Sequence, residues 1–383
     1  MKQSIFHISH TDIPRDPRIL RELKVLKYHF FNYNFFAIGI KKNTKFNNKK
    51  IDLSKIEYSR VELVTKNIKF IPKSIVYFFN YIEFFLKCIF KIYKKNISIV
   101  HCHDFLALPI GYVVKLLFNC KLIYDAHEIE SEKNFVKYPK LIFVLEKIFW
   151  KKIDLLITTS YSHSKWYHKK IENKKNSIII LNSPEISDKK KIYKNSLRKK
   201  LQISQKDLIF LYVGGFQNGR GIQMMLDVFS NSKIKSNIVF LGYGELEAEI
   251  IKYSKKYKNI HILKPIPHDS LVNFIKSANV GLNIIENVSV SDFYGLPNKF
   301  LEFAFAKLFI LSSNFPDMKK LIKLYSLGDY IAPTSNNLMK KIMFYEKNQN
   351  KLKIIKKNIA SLGWLSQSKK LTKFYEVILN ENC

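Results

Sequence analysis

Gly295-Leu-Pro-Asn-Lys-Phe-Leu-Glu-Phe-Ala304 is the stretch on which the reading of this chain turns. A Gly-Leu-Pro break leads into an Asn-Lys pair and an apolar helical run, with Glu302 expected inside the first turn. Pro297 suits a helix start, where a missing N–H costs nothing. The amides left free there, together with the helix dipole, make a ready anion site. A carboxylate in that place is not meant for phosphates, so Glu302 is better matched to hydroxyl donors such as a ribose diol. Upstream, Gly214-Gly-Phe-Gln-Asn-Gly-Arg-Gly221 follows an apolar run. The two stretches together suggest a nucleotide-sugar pocket. A proline-started helix with a surface Glu is the plainer alternative.

The upstream stretch reads as strand, glycine-rich loop, Arg220, then a helix over residues 222–229. Small residues let a backbone approach a ligand, and a diphosphate needs a fixed cation with fork geometry beside it. The spacing is neither GxGxxG nor a P-loop, since no GK[ST] follows. An arginine opening a helix is also structurally ordinary. Gly242-Tyr-Gly-Glu245 forms a second glycine-marked turn, and Lys264-Pro-Ile-Pro-His268 follows another strand. Pro265 and Ile266 either flank a base or only stiffen the loop.

Short apolar runs alternate with amphipathic stretches throughout, which marks βαβ units and parallel sheets. Strands are expected over residues 4–9, 35–40, 97–101, 121–125 and 155–159 in the first half. In the second half they fall at 208–214, 237–242, 260–263, 280–284 and 308–312. The 383 residues have room for two domains, and Leu181-Asn-Ser-Pro-Glu-Ile-Ser-Asp188 is a turn before a Lys-rich connector. The expected division is 1–185, 186–360 and a final segment, 361–383, with a helix anchored by Trp364.

The hydrophobic fraction of 47% excludes disorder, and the first residues read as a strand rather than a secretory leader. Cys88, Cys102, Cys120 and Cys383 show neither CxxC nor zinc spacing, which fits a reduced cytoplasm. The formal charge of +34 comes almost wholly from lysine, with arginine only at 15, 18, 21, 60, 198 and 220. Base readout and phosphate clamps favour arginine, so nucleic acid is not the expected partner. Lys, Asn, Ile, Phe and Tyr are inflated together, as in AT-rich coding, and an anionic membrane surface accounts for the remaining charge.

Residues 71–95 (IPKSIVYFFNYIEFFLKCIFKIYKK) are the most lipophilic stretch. A charged stripe of Glu83, Lys87, Lys91 and Lys94 argues against a span and for an amphipathic helix. That helix packs on the sheet or lies in an interface, with Phe84 and Phe85 on the face in question.

In the first half, Val100-His-Cys-His-Asp104 and Tyr124-Asp-Ala-His-Glu128 each close a strand, and strand carboxyl ends are where open α/β sheets bind ligands. No metal motif is formed, so no metal is expected; His127 is the foremost hydrogen-bonding histidine, and structural strand-end histidines are the alternative. His10-Thr-Asp-Ile-Pro-Arg-Asp-Pro-Arg18 fills the first β–α loop. Arg15 and Arg18 face an anionic ligand or pair with neighbouring Asp residues.

Taken in order, these motifs resemble the retaining family-4 glycosyltransferases (group 1) of GT-B fold, over nearly the whole chain. Asp16-Pro-Arg-Ile-Leu-Arg-Glu22 is similar to the family's first helix, and the two His-bearing strand ends to its acceptor-side segments. Gly214–Gly221 matches its diphosphate loop, and Gly295-Leu-Pro-Asn-Lys-Phe-Leu-Glu the nucleotide-sugar helix of one subgroup. The resemblance implies two Rossmann-like domains with parallel sheets facing across a cleft. It implies transfer of a hexose-type sugar, with retention, from a nucleotide diphosphate sugar to a glycan or polyprenyl-linked acceptor, with no metal cofactor. Arg220 would neutralise the departing diphosphate, Glu302 would bind the ribose and His127 the transferred sugar. Gly214, Gly215, Gly221, Gly242, Gly244, Pro265, Ile266, Leu296, Pro297, Asn298 and Lys299 would line the donor side. His10, Arg15, Arg18, His103 and Asp104 would stand on the acceptor side.

Two departures stand out: Tyr294 replaces a carboxylate that many members carry, and Gly215 an arginine, a charge that Lys299 is placed to restore. Bacterial surface polysaccharide assembly, such as lipopolysaccharide or capsule, is the implied setting, for a cytoplasmic protein peripheral on the inner membrane face. A sugar-nucleotide epimerase of similar fold, or an inactive basic relative binding membranes or nucleic acid, are the rival readings.

Overall fold

The computed structural model describes residues 2–41, 56–68, 70–171, 175–185, 197–352 and 358–380. The expected Lys-rich connector, Ile186 to Asp188 of the turn before it, and Cys383 lie outside the described residues. The chain forms two compact units, Met1–Ile180 with Ser368–Cys383, and Leu181–Gln367.

Unit 1 is built on β1 (Ser4–Ser9), β2 (Asn34–Ile40), β3 (Glu57–Val61), β4 (Ile97–His103), β5 (Lys121–Ala126), β6 (Leu155–Thr158) and β7 (Asn176–Ile179). These strands pair in parallel in the order β3-β2-β1-β4-β5-β6-β7. Central strands carry apolar residues on both faces because helices cover both sides; every residue of β1 and β4 is buried. The order reverses between β1 and β4, so right-handed crossovers put the helix Pro17–His29 on one face. Helices Lys73–Ile92, Leu108–Phe118 and Pro139–Trp150 cover the other.

Unit 2 has β8 (Ile209–Gly215), β9 (Asn237–Tyr243), β10 (Ile260–Leu263), β11 (Val280–Asn283), β12 (Phe309–Ser313) and β13 (Gly328–Ile331). Their parallel order is β10-β9-β8-β11-β12-β13, with the reversal between β8 and β11. Its core joins Phe210, Tyr212, Phe216 and Phe240 of the sheet side to Ile222, Met225 and Phe229 of the helix Ile222–Phe229. Both units are thus Rossmann-like α/β layers. The helix Trp364–Asn380 begins within unit 2 and ends within unit 1, where Tyr375 is fully buried.

All ten expected strands form, within a residue or two of the expected bounds. Three strands were not expected, β3, β7 and β13, and each is the edge of its sheet. One local correction concerns the deciding stretch, and the lipophilic stretch packs on the sheet, one of its two expected placements. The helix of the deciding stretch is Asn298–Phe305, with Pro297 in the capping position just outside, so Glu302 lies in the second turn rather than the first. In residues 71–95, Phe84 is fully buried with Cys88 and Ile92, and therefore belongs to the domain interior. Among the described residues no helix is long and apolar enough to cross a membrane.

Candidate functional site

In unit 2 the glycine loop ends β8 and the deciding helix starts near it, at the point where the strand order reverses. Such switch points are where open α/β sheets bind ligands. The backbone itself requires glycine at position 242, where a Cβ would stand 1.9 Å from the Gly214 carbonyl oxygen. Gly215 differs, because a Cβ there would meet only the Gln217 side chain, at 3.5 Å. Gly221 caps the following helix at φ 68°, and its N–H donates to Glu286 Oε1 at 3.1 Å.

The cations converge here. Lys299 is 8% exposed, and its ammonium lies 3.9 Å from the centre of the Tyr212 ring, whose hydroxyl donates to the Gly215 carbonyl at 2.7 Å. Burial, and then the charge of Arg220, hold the Lys299 ammonium well below its usual range, against the pull of Glu302. Arg220 donates from Nη1 to Asp292 Oδ1 at 2.7 Å, and Ser289 donates to the other oxygen of Asp292 at 2.8 Å. Glu302 is 7% exposed, with His268 Nδ1 3.6 Å from it. Leu296 is buried, Ile266 is half-buried, and Pro265 and Asn298 are exposed. Gly244 packs against the Phe216 backbone, where a Cβ would stand 2.5 Å from a carbonyl oxygen.

In unit 1 the strand-end residues assemble into one buried network around Asp125. Arg18 Nε and Nη2 donate to the two Asp125 oxygens at 3.2 and 2.9 Å, Nη1 donates to the Ile180 carbonyl at 2.9 Å, and Glu22 Oε1 is 3.1 Å from Nε. Of the two readings for Arg18, pairing with carboxylate is the one realised, and its partners are Asp125 and Glu22. The guanidinium is 2% exposed and points into the domain. His103 is also buried; it shares a 3.0 Å hydrogen bond with His7 and lies 3.3 Å from Asp125. His101 contacts the Tyr375 hydroxyl at 2.6 Å. Burial raises the Glu22 carboxyl to about 8, even though Arg18 opposes it.

His127 sits at the rim of this network. Its Nε2 is 3.2 Å from Asp125 and its Nδ1 3.3 Å from Asp104, and its backbone N–H donates to Asp104 Oδ1 at 3.1 Å. Burial alone would lower the imidazolium, but the two carboxylates outweigh it and hold it well above the usual range. Burial likewise pushes the Asp104 carboxyl up, yet His127 draws it down to about 2. Asp104 adopts φ 64°, ψ 169°, a region that a side chain normally avoids at about 1–3 kcal/mol. Its N–H donates to the Asp125 carbonyl at 2.9 Å, and its carboxylate meets His127. Arg15 pairs with Asp12 at 3.3 Å, and His10 packs edge-on against Phe84, their ring centres 5.6 Å apart.

Two groups bring metal-type ligand atoms within 4.8 Å of one another: His7, His101 and His103, and Glu22, His101, His103 and Asp125. Arg18 already places a positive charge between the carboxylates of the second group. Sequence reading did not single out His7, Glu22, Tyr375, Glu286 or Asp292 as members of these sites. The Arg18–Glu22 pair was visible as an i, i+4 spacing, and the others come from segments far away in the chain.

Residues 193–361 match the family model described as glycosyl transferases group 1. No curated protein matches the sequence. Among solved structures, sucrose-phosphate synthase from Thermosynechococcus elongatus is similar with TM-score 0.79 at 14% identity, covering 99% of this chain and 100% of that one. Anabaena HepE, in complex with UDP and glucose, gives TM-score 0.72 at 11% identity over 98% of this chain and 100% of that one. The lipopolysaccharide outer core galactosyltransferase WaaB gives 0.61 at 13% identity, again over 98% and 100%. At such identities the likeness shows the fold, two Rossmann-like units as in GT-B glycosyltransferases. The chain therefore has a GT-B fold, and the stretch that matches the glycosyl transferases group 1 model falls within unit 2.

Proposed function

We propose that this chain is a retaining glycosyltransferase that moves a hexose-type sugar from a nucleotide diphosphate sugar to a glycan or lipid-linked acceptor. The observation that carries this reading is the Lys299–Arg220 pair. Lys299 is buried and the one-third exposed Arg220 adds a like charge to it, so burial and repulsion at Lys299 favour an incoming anion. A diphosphate meets that demand, with Arg220 as the fork and Lys299 as a second charge where the group 1 pattern has an arginine at Gly215. Stabilising charge as the diphosphate leaves is the main requirement of such a transfer. Glu302 takes the ribose hydroxyls, with Gly215 leaving room for the donor beside Lys299. His127 hydrogen-bonds the transferred sugar. The transfer needs no metal, because the protein supplies the cations.

The similarity to a lipopolysaccharide galactosyltransferase and to a UDP- and glucose-binding protein supports a polysaccharide setting and a hexose donor. The lysine-rich composition supports attachment of unit 1, through the helix Lys73–Ile92, to the inner face of the cytoplasmic membrane. Incubation with a panel of nucleotide sugars, read as released nucleoside diphosphate, tests the activity. Proton NMR of the first product tests retention. An isomerised nucleotide sugar without free nucleotide would instead identify an epimerase.

A further inference from the structure

We propose that the outer sides of the helices Lys73–Ile92, Leu108–Phe118 and Pro139–Trp150 form one continuous surface that docks unit 1 on an anionic lipid bilayer. This rests on the membrane placement above and extends it from one helix to a whole face of the domain.

The three helices follow β3, β4 and β5 and lie side by side on the same face of the sheet. Tyr112 of the second packs on Phe149 of the third, with ring centres 5.0 Å apart. Their inner sides are accounted for: Phe84, Cys88 and Ile92 on the first, Ile110 and Val114 on the second, and Glu146 and Trp150 on the third are buried. Their outer sides are apolar as well. On the first helix Ile75, Phe79, Ile82, Leu86 and Phe90, with Tyr93 just past its end, recur at three- and four-residue spacings opposite the buried stripe, and all are exposed. Leu116 and Leu117 end the second, and Leu141, Val144 and Ile148 line the third. Monomeric soluble proteins seldom leave so wide an apolar patch open to water.

Charge selects the occupant. The three helices contain two acidic residues, Glu83 and Glu146. Glu83 is tied to Thr65 and Lys87, and Glu146 is buried against Tyr124. Lys73, Lys91, Lys94, Lys140, Lys147 and Lys151 are exposed on or beside the same helices. A second copy would bring lysines against lysines, whereas an acidic headgroup layer matches them and takes the aromatic side chains at its boundary. Phe70, Phe135 and Tyr138, 100%, 84% and 66% exposed, extend this surface in the connections that lead into the first and third helices. The connection with Phe135 and Tyr138 leaves β5, whose carboxyl end is followed by His127, so a lipid-linked acceptor would arrive on the side where His127 stands.

The test is flotation of the full chain with vesicles of phosphatidylcholine, with and without phosphatidylglycerol. Two triple variants are compared with wild type, Ile82→Ser/Leu86→Ser/Phe90→Ser and Leu141→Ser/Val144→Ser/Ile148→Ser. All six positions are exposed, so circular dichroism should report an unchanged fold. Wild type is expected to bind the acidic vesicles, and each triple variant to bind at least tenfold more weakly. If only the first triple variant loses binding, the three-helix surface is wrong while attachment through one helix stands. Failure of wild type to bind overturns both. Wild-type self-association in solution, relieved by the substitutions with no vesicle binding, assigns the face to a second copy and overturns the proposal.

Discussion

Glu146 gives a quantitative check on the interior of unit 1, since it holds the inner side of the proposed bilayer-facing helix. The side chain is fully buried, and Oε1 accepts from the hydroxyls of Tyr124 and Tyr167 at 2.7 and 2.9 Å. Burial raises its carboxyl from the ordinary 4.5 to about 7, although the two tyrosine hydrogen bonds pull the other way. In the folded protein the group therefore keeps its proton between about pH 4.5 and 7, while the unfolded chain has released it. The native state binds more protons across that window, so stability falls as pH rises through it and levels off above. Each tenfold difference in proton affinity between the two states is worth ~1.4 kcal/mol, so the whole effect is on the order of 3 kcal/mol. Glu146→Gln keeps the acceptor for both tyrosines and removes the ionisation. Oε2 has no hydrogen-bond partner, so an amide there leaves unpaired donors, costing about 1–3 kcal/mol at every pH. The variant should therefore be less stable than wild type near pH 5, and should recover or overtake it near pH 8.5. Urea unfolding followed by tryptophan fluorescence reports this, because Trp150 stacks on Tyr167 with ring centres 5.6 Å apart. A stability difference between variant and wild type that does not change with pH would show that Glu146 is already ionised in the fold, and would refute its role as a buried neutral acid.

Arg220→Ala should lower turnover by ~10²-fold or more at saturating donor with the fold intact, and near-normal turnover would remove its leaving-group role. Asp292→Asn should release Arg220 and tighten nucleoside diphosphate binding by a few-fold, as fits a half-exposed pair worth ~0.2–1 kcal/mol; calorimetry showing weaker binding would make Asp292 a positioning residue instead. Glu302→Ala should weaken the nucleoside diphosphate by about 1.5–3 kcal/mol without changing acceptor affinity, and unaltered affinity would leave Glu302 with only His268 to serve. Binding of the diphosphate should raise the depressed Lys299 ammonium and take up protons, seen as heats that vary with the buffer, and Lys299→Met should abolish that uptake.

The strands that sequence reading found and missed divide along one physical line. Interior strands are buried on both faces, so Ser-Ile-Phe-His-Ile-Ser or Ile-Phe-Leu-Tyr-Val register as apolar runs. Edge strands meet water on one side and at their unpaired rim, so β3 reads Glu-Tyr-Ser-Arg-Val and β13 Gly-Asp-Tyr-Ile, and neither stands out from a loop. The edge strand β10 was found because Ile-His-Ile-Leu keeps apolar residues. Strand formation at such edges is decided by the neighbour's hydrogen bonds, which no local pattern carries.

The same line runs through the candidate sites. Lys299 and Glu302 were legible because one helix turn carries both. What sequence could not supply is the partner each charge meets in the fold. Asp292 reaches Arg220 from 72 residues along the chain, Asp125 reaches Arg18 from 107, and Tyr375 reaches His101 from 274. A cation in a loop looks available to a ligand until its carboxylate is located. Arg18 gives Nε and Nη2 to Asp125 and Nη1 to the Ile180 carbonyl, and Asp125 in turn meets His127. Arg220 is one-third exposed and holds a single carboxylate oxygen, an arrangement that a diphosphate can exchange. Lys299 is set against the Tyr212 ring, with burial and Arg220 lowering and Glu302 raising its ammonium, and on the function proposed above a diphosphate completes its surroundings.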